Sequence, residues 1–313
     1  MRLEHVRRAV FAMPWAIQEE KLAAILEVLE LRAAGVALSP DFTAAAPRPI
    51  EEVVALEAAA AGRPAAVNEG KVAILQLFGV LSQRMSMLEQ QSGGTSTEKF
   101  GKVFDAVLAN DEIRAIILQI DSPGGAVAGT AELADRIFQA RGQKRVVAIA
   151  DSLAASAAYW IGSSASEFWA TPTADVGSIG VIALHEDVSK AADEAGVKYT
   201  IVKAGKFKGE GNPYETLSAE AQAAMQSRVD ELYGMFVKSV ARGRGVSVDD
   251  VRGGFGQGRA LGADAAKAAG MIDRIGTLDD VLVSLRAKPG PNARAQIGSL
   301  ALRQALLEEE LTS

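Results

Sequence analysis

Three short apolar runs recur along the middle of the chain: KVAILQL from Lys71, AIILQI over 115–120 and RVVAIA over 145–150. Each reads as a strand buried on both faces, and the segments between them, 97–109 and 127–141, carry helical patterning. Strands that alternate with helices pair in parallel, and a parallel sheet needs a helical layer to cover it. The pattern continues with a helix over 155–165 that begins near Ser156, strands over 179–184 and 197–202, and a helix over 187–195. A long amphipathic helix over 218–243 carries Ala221, Met225, Val229, Leu232 and Phe236 on one side. Helical segments near 262–269 and 277–287 close the body. The prediction is a layered α/β protein.

The flanking regions have a different composition. Leu22, Ile25, Leu26 and Leu29 recur at helical spacing, so residues 1–34 read as an N-terminal helical arm. Residues 35–66 shift to Ala, Pro and Gly and read as a linker. The α/β domain is expected over 67–287, with a short amphipathic tail over 288–313. At 313 residues, 49% of them hydrophobic, the chain has ample material for a core. Its formal charge of −6 and lack of a basic stripe with interleaved aromatics argue against nucleic-acid binding. The absence of cysteine excludes a disulfide scaffold and a thiolate metal site, and no cofactor is expected. The apolar run Ala9–Ala12 is too short for a secretory leader and is cut by Pro14. No stretch approaches the ~20 apolar residues of a membrane span. The expectation is a soluble, cytoplasmic protein without a membrane anchor.

Few residues here can activate a hydroxyl, since the only histidines are His5 and His185. The turn Asp121-Ser122-Pro123-Gly124-Gly125 lies between a strand and a helix. It is expected to present backbone N–H groups at a helix N-terminus, where negative charge is stabilised. Neither GxGxxG nor GxxxxGK[ST] is present, which weakens a phosphate-binding reading. Ser156 sits among small residues, Ala154-Ala155-Ser156-Ala157-Ala158, which let a helix start close against a sheet. The N–H of Ala157 would then lie beside the hydroxyl. Ser152 is the nearest competitor. Lysine is the likeliest base, and burial would lower its pKa towards neutrality by disfavouring the charged form. Spacing alone leaves Lys203, Lys206 and Lys208 open. A serine–histidine–aspartate triad would have to use His185, beside Glu186 and Asp187.

Taken in order, these motifs resemble the signal peptide peptidase A family of serine–lysine proteases. The likeness spans Lys71 to Leu285. It rests on the D-S-P-G-G turn, A-A-S-x-x-Y-W, V-G-S-I-G-V at Val176–Val181, A-G-K-x-K at Ala204–Lys208 and the segment from Gly258 to Asp273. The resemblance implies the ClpP/crotonase-like layered fold with parallel sheets. It makes Ser156 the nucleophile and Lys208 the base, with Ser178 orienting the lysine. Gly125 and Ala157 would supply oxyanion N–H groups, and Gly124 would shape the turn. Ala157 and Ala158 depart from the two glycines usual after the nucleophile, so a narrower substrate subsite is expected there.

Pro14-Trp15-Ala16-Ile17 and Lys208-Gly209-Glu210-Gly211-Asn212-Pro213-Tyr214 are similar to the phage and prophage branch of that family, although Phe207 stands where that branch often has histidine. The branch implies head maturation inside the procapsid in the host cytoplasm. Scaffold, portal or capsid proteins would be the polypeptide substrates, and the enzyme would be a homo-oligomer. Three alternatives remain open. One is a crotonase-like acyl-CoA enzyme that uses the same oxyanion hole, another a non-catalytic capsid or scaffold component. The third is an enzyme like the bacterial signal peptide peptidases.

Overall fold

A computed structural model describes residues 10–11, 13–33, 71–84 and 94–286. The expected linker and tail lie outside the described residues. The strands in chain order are β1 (Trp15–Ile17), β2 (Lys71–Phe78), β3 (Leu81–Ser82), β4 (Thr95–Ser96), β5 (Ile113–Ser122), β6 (Gly124–Ala126), β7 (Arg145–Ala155), β8 (Glu167–Ala170), β9 (Asp175–Gly177), β10 (Ala260–Gly262) and β11 (Arg274–Ile275). The helices are α1 (Glu19–Ala33), α2 (Thr97–Ala109), α3 (Thr130–Ala140), α4 (Ala157–Gly162), α5 (Ser189–Glu194), α6 (Ala219–Arg244), α7 (Val248–Gly254), α8 (Ala263–Ala268) and α9 (Leu278–Arg286). A second compact unit begins at Asp279, and its described residues, 279–286, belong to α9.

The three apolar runs are neighbours in the larger sheet, where β2, β5 and β7 pair in parallel as their pattern predicts, with β2 at the sheet edge. The long strand β7 changes neighbours along its length. Val147–Ala150 pair with β8, and Leu153–Ala155 pair with β9. A smaller sheet has the order β1-β6-β3-β4. Pro123 lies where the chain passes from β5 in the large sheet to β6 in the small one, and it has no N–H to donate to a ladder. The layered α/β class expected from the sequence is therefore present.

Small side chains let α4 approach β7 closely. Ala148, Ala150, Ala154, Ala155, Ala157 and Ala158 are all fully buried. Behind α4, Trp160 stacks on Phe236 of α6 with ring centroids 4.5 Å apart and planes 8° from parallel. The Tyr159 hydroxyl donates to Met271 O at 2.9 Å. One N-terminal and two internal details differ from the sequence expectations. Trp15–Ile17 form a strand ahead of the predicted helix. Residues 179–184 make only a bridge at Ile182, and 197–202 have no strand partner among the described residues. Both segments have β-branched apolar character, but a strand requires a neighbour to accept its ladder.

A charged clamp fixes the end of α6. Arg244 donates both Nη atoms to Asp273, at 2.9 and 2.7 Å, and the Phe168 N–H donates to the same carboxylate at 2.7 Å. Burial pushes the Asp273 carboxyl up, but these bonds and the Arg244 charge outweigh it and hold it below its ordinary value. A depressed carboxylate stabilises the fold above its unfolded pKa, and that contribution is lost as pH falls through the folded value. Arg244 is nearly enclosed while Asp273 is partly exposed, so the cost of breaking the pair is below that of a fully buried one. Asp273→Asn is expected to lower stability by roughly 2 kcal/mol at neutral pH. Urea denaturation at a series of pH values should show this difference shrinking as pH falls below about 4.

Candidate active site

Strand β7 ends at Ala155 and helix α4 begins at Ala157, so Ser156 makes the whole turn between them. Its backbone is at φ 55°, ψ −118°, a region that L-residues avoid. The turn is held from both sides. The Ser156 N–H donates to Gly177 O at 2.7 Å, and Ser156 O accepts from the Trp160 N–H at 2.9 Å. Non-glycine residues at positive φ number three among those described: Ser156, Ser178 and Gln257. Two of them are candidate site residues from the sequence. Backbone strain of this kind costs about 1–3 kcal/mol per residue and collects at functional sites.

The glycine turn reaches the same place, but not as a helix N-terminus. Gly124–Ala126 are strand β6, and α3 starts only at Thr130. A helix-terminus account of the turn is thus corrected: the N–H groups belong to a strand. Ser122 is fully buried, and its hydroxyl donates to Gly79 O at 2.6 Å while accepting from the Gly124 N–H at 3.2 Å. With the Gly124 donor used in that way, the candidate oxyanion donors are the Gly125 N–H, which faces Ala16 of β1, and the Ala157 N–H. As the first residue of a helix, Ala157 has an N–H with no intrahelical acceptor. Gly124 is at φ +98°, and a Cβ there would stand 2.9 Å from Ala155 O and 3.0 Å from Ala157 N. At Gly125 a Cβ would stand 1.9 Å from Leu81 O. Glycine at 124 lets β6 meet the serine turn, and glycine at 125 lets it lie against β3.

The segment containing Ser178 wraps the serine. Ser178 follows Gly177, donates its N–H to Arg259 O at 3.0 Å and precedes Gly180, whose carbonyl lies 3.5 Å from Ser156 Oγ. The methyl groups of Ala157 and Ala158 belong to the main hydrophobic core. Ser152 is occupied elsewhere, donating to Asp121 at 2.5 Å. His185 is also elsewhere, with Nε2 3.2 Å from Asn212 O, so no histidine triad is formed with Ser156.

Lys208 is not brought to Ser156 within the single chain. It lies on an exposed turn closed by its N–H bond to Gly205 O at 3.1 Å. The three lysines left open by spacing are nevertheless distinguished. Lys206 pairs with Glu220 at 2.8 Å and Lys203 approaches Glu215 at 3.9 Å, whereas the Lys208 amine has no ion pair or hydrogen bond among the described residues. No group of acidic residues and histidines suited to a metal ion occurs among the described residues. No described helix is long and apolar enough to cross a membrane. Ser122 was not singled out from sequence. Its hydrogen-bonding role depends on Gly79, which only the fold brings near.

The Gly124→Ala variant is expected to force α4 and β6 apart, costing roughly 1–3 kcal/mol of stability by overpacking. Thermal unfolding beside the Ser156 labelling rate would show both the strain and the damaged site.

Compared with known proteins, residues 139–290 match the model of Peptidase family S49. This stretch includes Ser156, Ser178 and Lys208. The head-tail preconnector protein GP5 of Enterobacteria phage P21 is 33% identical over 234 residues, covering 74% of this chain and 46% of that protein. Capsid assembly protease C of Escherichia phage lambda is 32% identical over 215 residues, covering 69% and 48%. The chain thus spans about half the length of these relatives. A solved ClpP1 variant from Listeria monocytogenes aligns over 67% of this chain and 94% of its own, with 16% identity and a TM-score of 0.40. The chain carries a Peptidase family S49 domain.

Proposed function

We propose that this chain is a serine endopeptidase of phage head maturation, with Ser156 as nucleophile and Lys208 as base. The observation that carries the reading is the strained Ser156 turn, set between the Gly124–Gly125 strand and the Gly177–Gly180 segment. Ser156 Oγ attacks a peptide carbonyl and gives its proton to neutral Lys208, with Ser178 orienting the amine. The N–H groups of Gly125 and Ala157 hold the oxyanion, each donor worth about 3–4 kcal/mol in the transition state. The lysine then protonates the leaving amine, and water releases the acyl-enzyme by the same path. The names of the P21 and lambda relatives, a head-tail preconnector and a capsid assembly protease, support capsid-assembly proteins as substrates, and we extend these to scaffold and portal proteins in the host cytoplasm.

Assembly supplies what the single chain lacks. The segment before α6 exposes Val202 at 94%, Phe207 at 54% and Tyr199 at 50%, with Tyr199 stacked on Tyr214 at 3.9 Å. An apolar surface of this kind marks an interaction site. Covering it with a second copy would desolvate the turn that carries Lys208, which favours the neutral amine. An acyl-CoA enzyme with this site would need no covalent serine adduct, so a serine-directed phosphonate distinguishes the two readings.

Co-expression with neighbouring capsid proteins, read by mass spectrometry, is expected to show cleavage that Ser156→Ala and Lys208→Ala abolish. Lys206→Ala should retain it; loss in Lys206→Ala with retention in Lys208→Ala would reassign the base. Val202→Glu is expected to shift the protein to smaller species in light scattering after size-exclusion chromatography, with cleavage falling in parallel.

A further inference from the structure

The groove beside Ser156 is already filled, and by this chain itself. Strand β1 runs antiparallel to β6 in the register Trp15↔Ala126, Ala16↔Gly125 and Ile17↔Gly124. Its other edge meets Ile182, where Trp15 N–H donates to Ile182 O and Ile182 N–H donates to Trp15 O, both at 2.8 Å. The N-terminal segment is therefore hydrogen-bonded on both sides, between the glycine strand and the segment that follows Gly180. Without it, two unpaired backbone edges would face each other next to the serine. Such a slot is what an extended peptide substrate needs when it binds by adding a strand.

The register places one carbonyl at the reacting position. An antiparallel strand turns the backbone groups of successive residues to opposite sides. Trp15 gives both its groups to Ile182, so Ala16 turns its own towards Gly125. The flanking bonds agree: Val127 N–H donates to Pro14 O at 3.3 Å, and Gln18 N–H donates to Pro123 O at 3.0 Å. The Ala16 carbonyl thus faces the Gly125 N–H, one of the two candidate oxyanion donors. The second is near. The Ala16 oxygen and the Ala157 nitrogen lie 2.2 and 3.0 Å from one point, the Cβ position of Gly124, and so within about 5.2 Å of each other. The side chains alternate as well. Ala16 belongs to the main core, while Trp15 and Ile17 pack with Leu22 and Leu29 of α1 in a separate cluster.

We propose that residues 14–18 are an internal pseudo-substrate: they occupy the peptide groove with the Ala16 carbonyl at the oxyanion donors, and the site acts on other chains only after this strand leaves. The proposal rests on the endopeptidase reading above and adds its regulation and substrate class. The groove takes an extended segment antiparallel to Gly124–Ala126, with a small side chain at the position held by Ala16. Helix α1 is the handle, because its apolar face holds Trp15 and Ile17 down.

The absence of cysteine permits a clean test. Trp15 and Ile182 are directly opposed, at a spacing an engineered disulfide can bridge. The full-length Trp15→Cys, Ile182→Cys double variant would be oxidised to lock the strand, and half of the sample then reduced. The rate at which a fluorophosphonate labels Ser156 is measured by peptide mass mapping in both halves. The reduced form is expected to label at least about tenfold faster than the locked one, as a population shift towards the open groove requires. Equal rates would overturn the proposal. Ala16→Pro, which removes the Ala16 N–H from the ladder, provides an independent arm and is expected to label faster than the unaltered chain. An unchanged or slower rate there would count against it. If Ser156→Ala abolishes scaffold cleavage while locked and reduced forms label alike, the protease reading stands and the pseudo-substrate falls. If Ser156 is labelled in no form, reduced and Ala16→Pro included, both fall together.

Discussion

The close approach of Gly124 to the backbone of Ala155 and Ala157 is the contact on which the site depends. It joins the end of β7 in the large sheet to β6 in the small sheet, with no side chain between them. Three consequences follow from that distance. The serine turn is held in a backbone region it would otherwise leave, the Ala157 nitrogen is brought beside β6, and β1 lying along β6 is brought beside that turn. Ser122 reinforces the contact from beneath by bridging Gly79 and Gly124. A larger residue at position 124 would disturb all of these together, because they share one van der Waals gap.

Support for the serine comes from several parts of the chain. Gly177 accepts its N–H, Gly180 faces its hydroxyl, and Trp160 anchors the following helix against Phe236. The Arg244–Asp273 clamp fixes the far end of α6, and Asp273 also takes the Phe168 N–H of β8. Burial alone would push that carboxyl up; two guanidinium bonds and a backbone donor hold it down. The strained turn is affordable because the elements around it are tied by bonds that do not depend on it.

Much of this was legible in the sequence. The runs that became β2, β5 and β7 carry their burial in their own composition, and the helical spacing in 97–109 matches α2. The place of Ser156 at a strand-to-helix junction was legible from its small neighbours, since alanines there allow close packing. Three features were not. Residues 197–202 have strand-like residues but no partner among the described residues, because local composition cannot supply a neighbouring edge. The glycine turn forms a strand instead of a helix start because β1 and β3 pair with it from distant parts of the chain. The strand at Trp15–Ile17 was hidden within a helical pattern that begins just after it. In each case the deciding bond is long-range, and periodicity reports only local fitness.

The pairing of β1 also has a consequence for the order in which the chain folds. Trp15–Ile17 are made before both of their partners: the strand that accepts them comes only with Gly124–Ala126, and the second edge only with Ile182. Contacts of such high sequence separation form late, after shorter loops have closed. The segment spends most of synthesis without its partners, and the groove and its occupant are completed in the same closing step. On the pseudo-substrate reading proposed above, a newly made chain would pass from having no groove to having a covered one, with no interval in which a finished groove stands open.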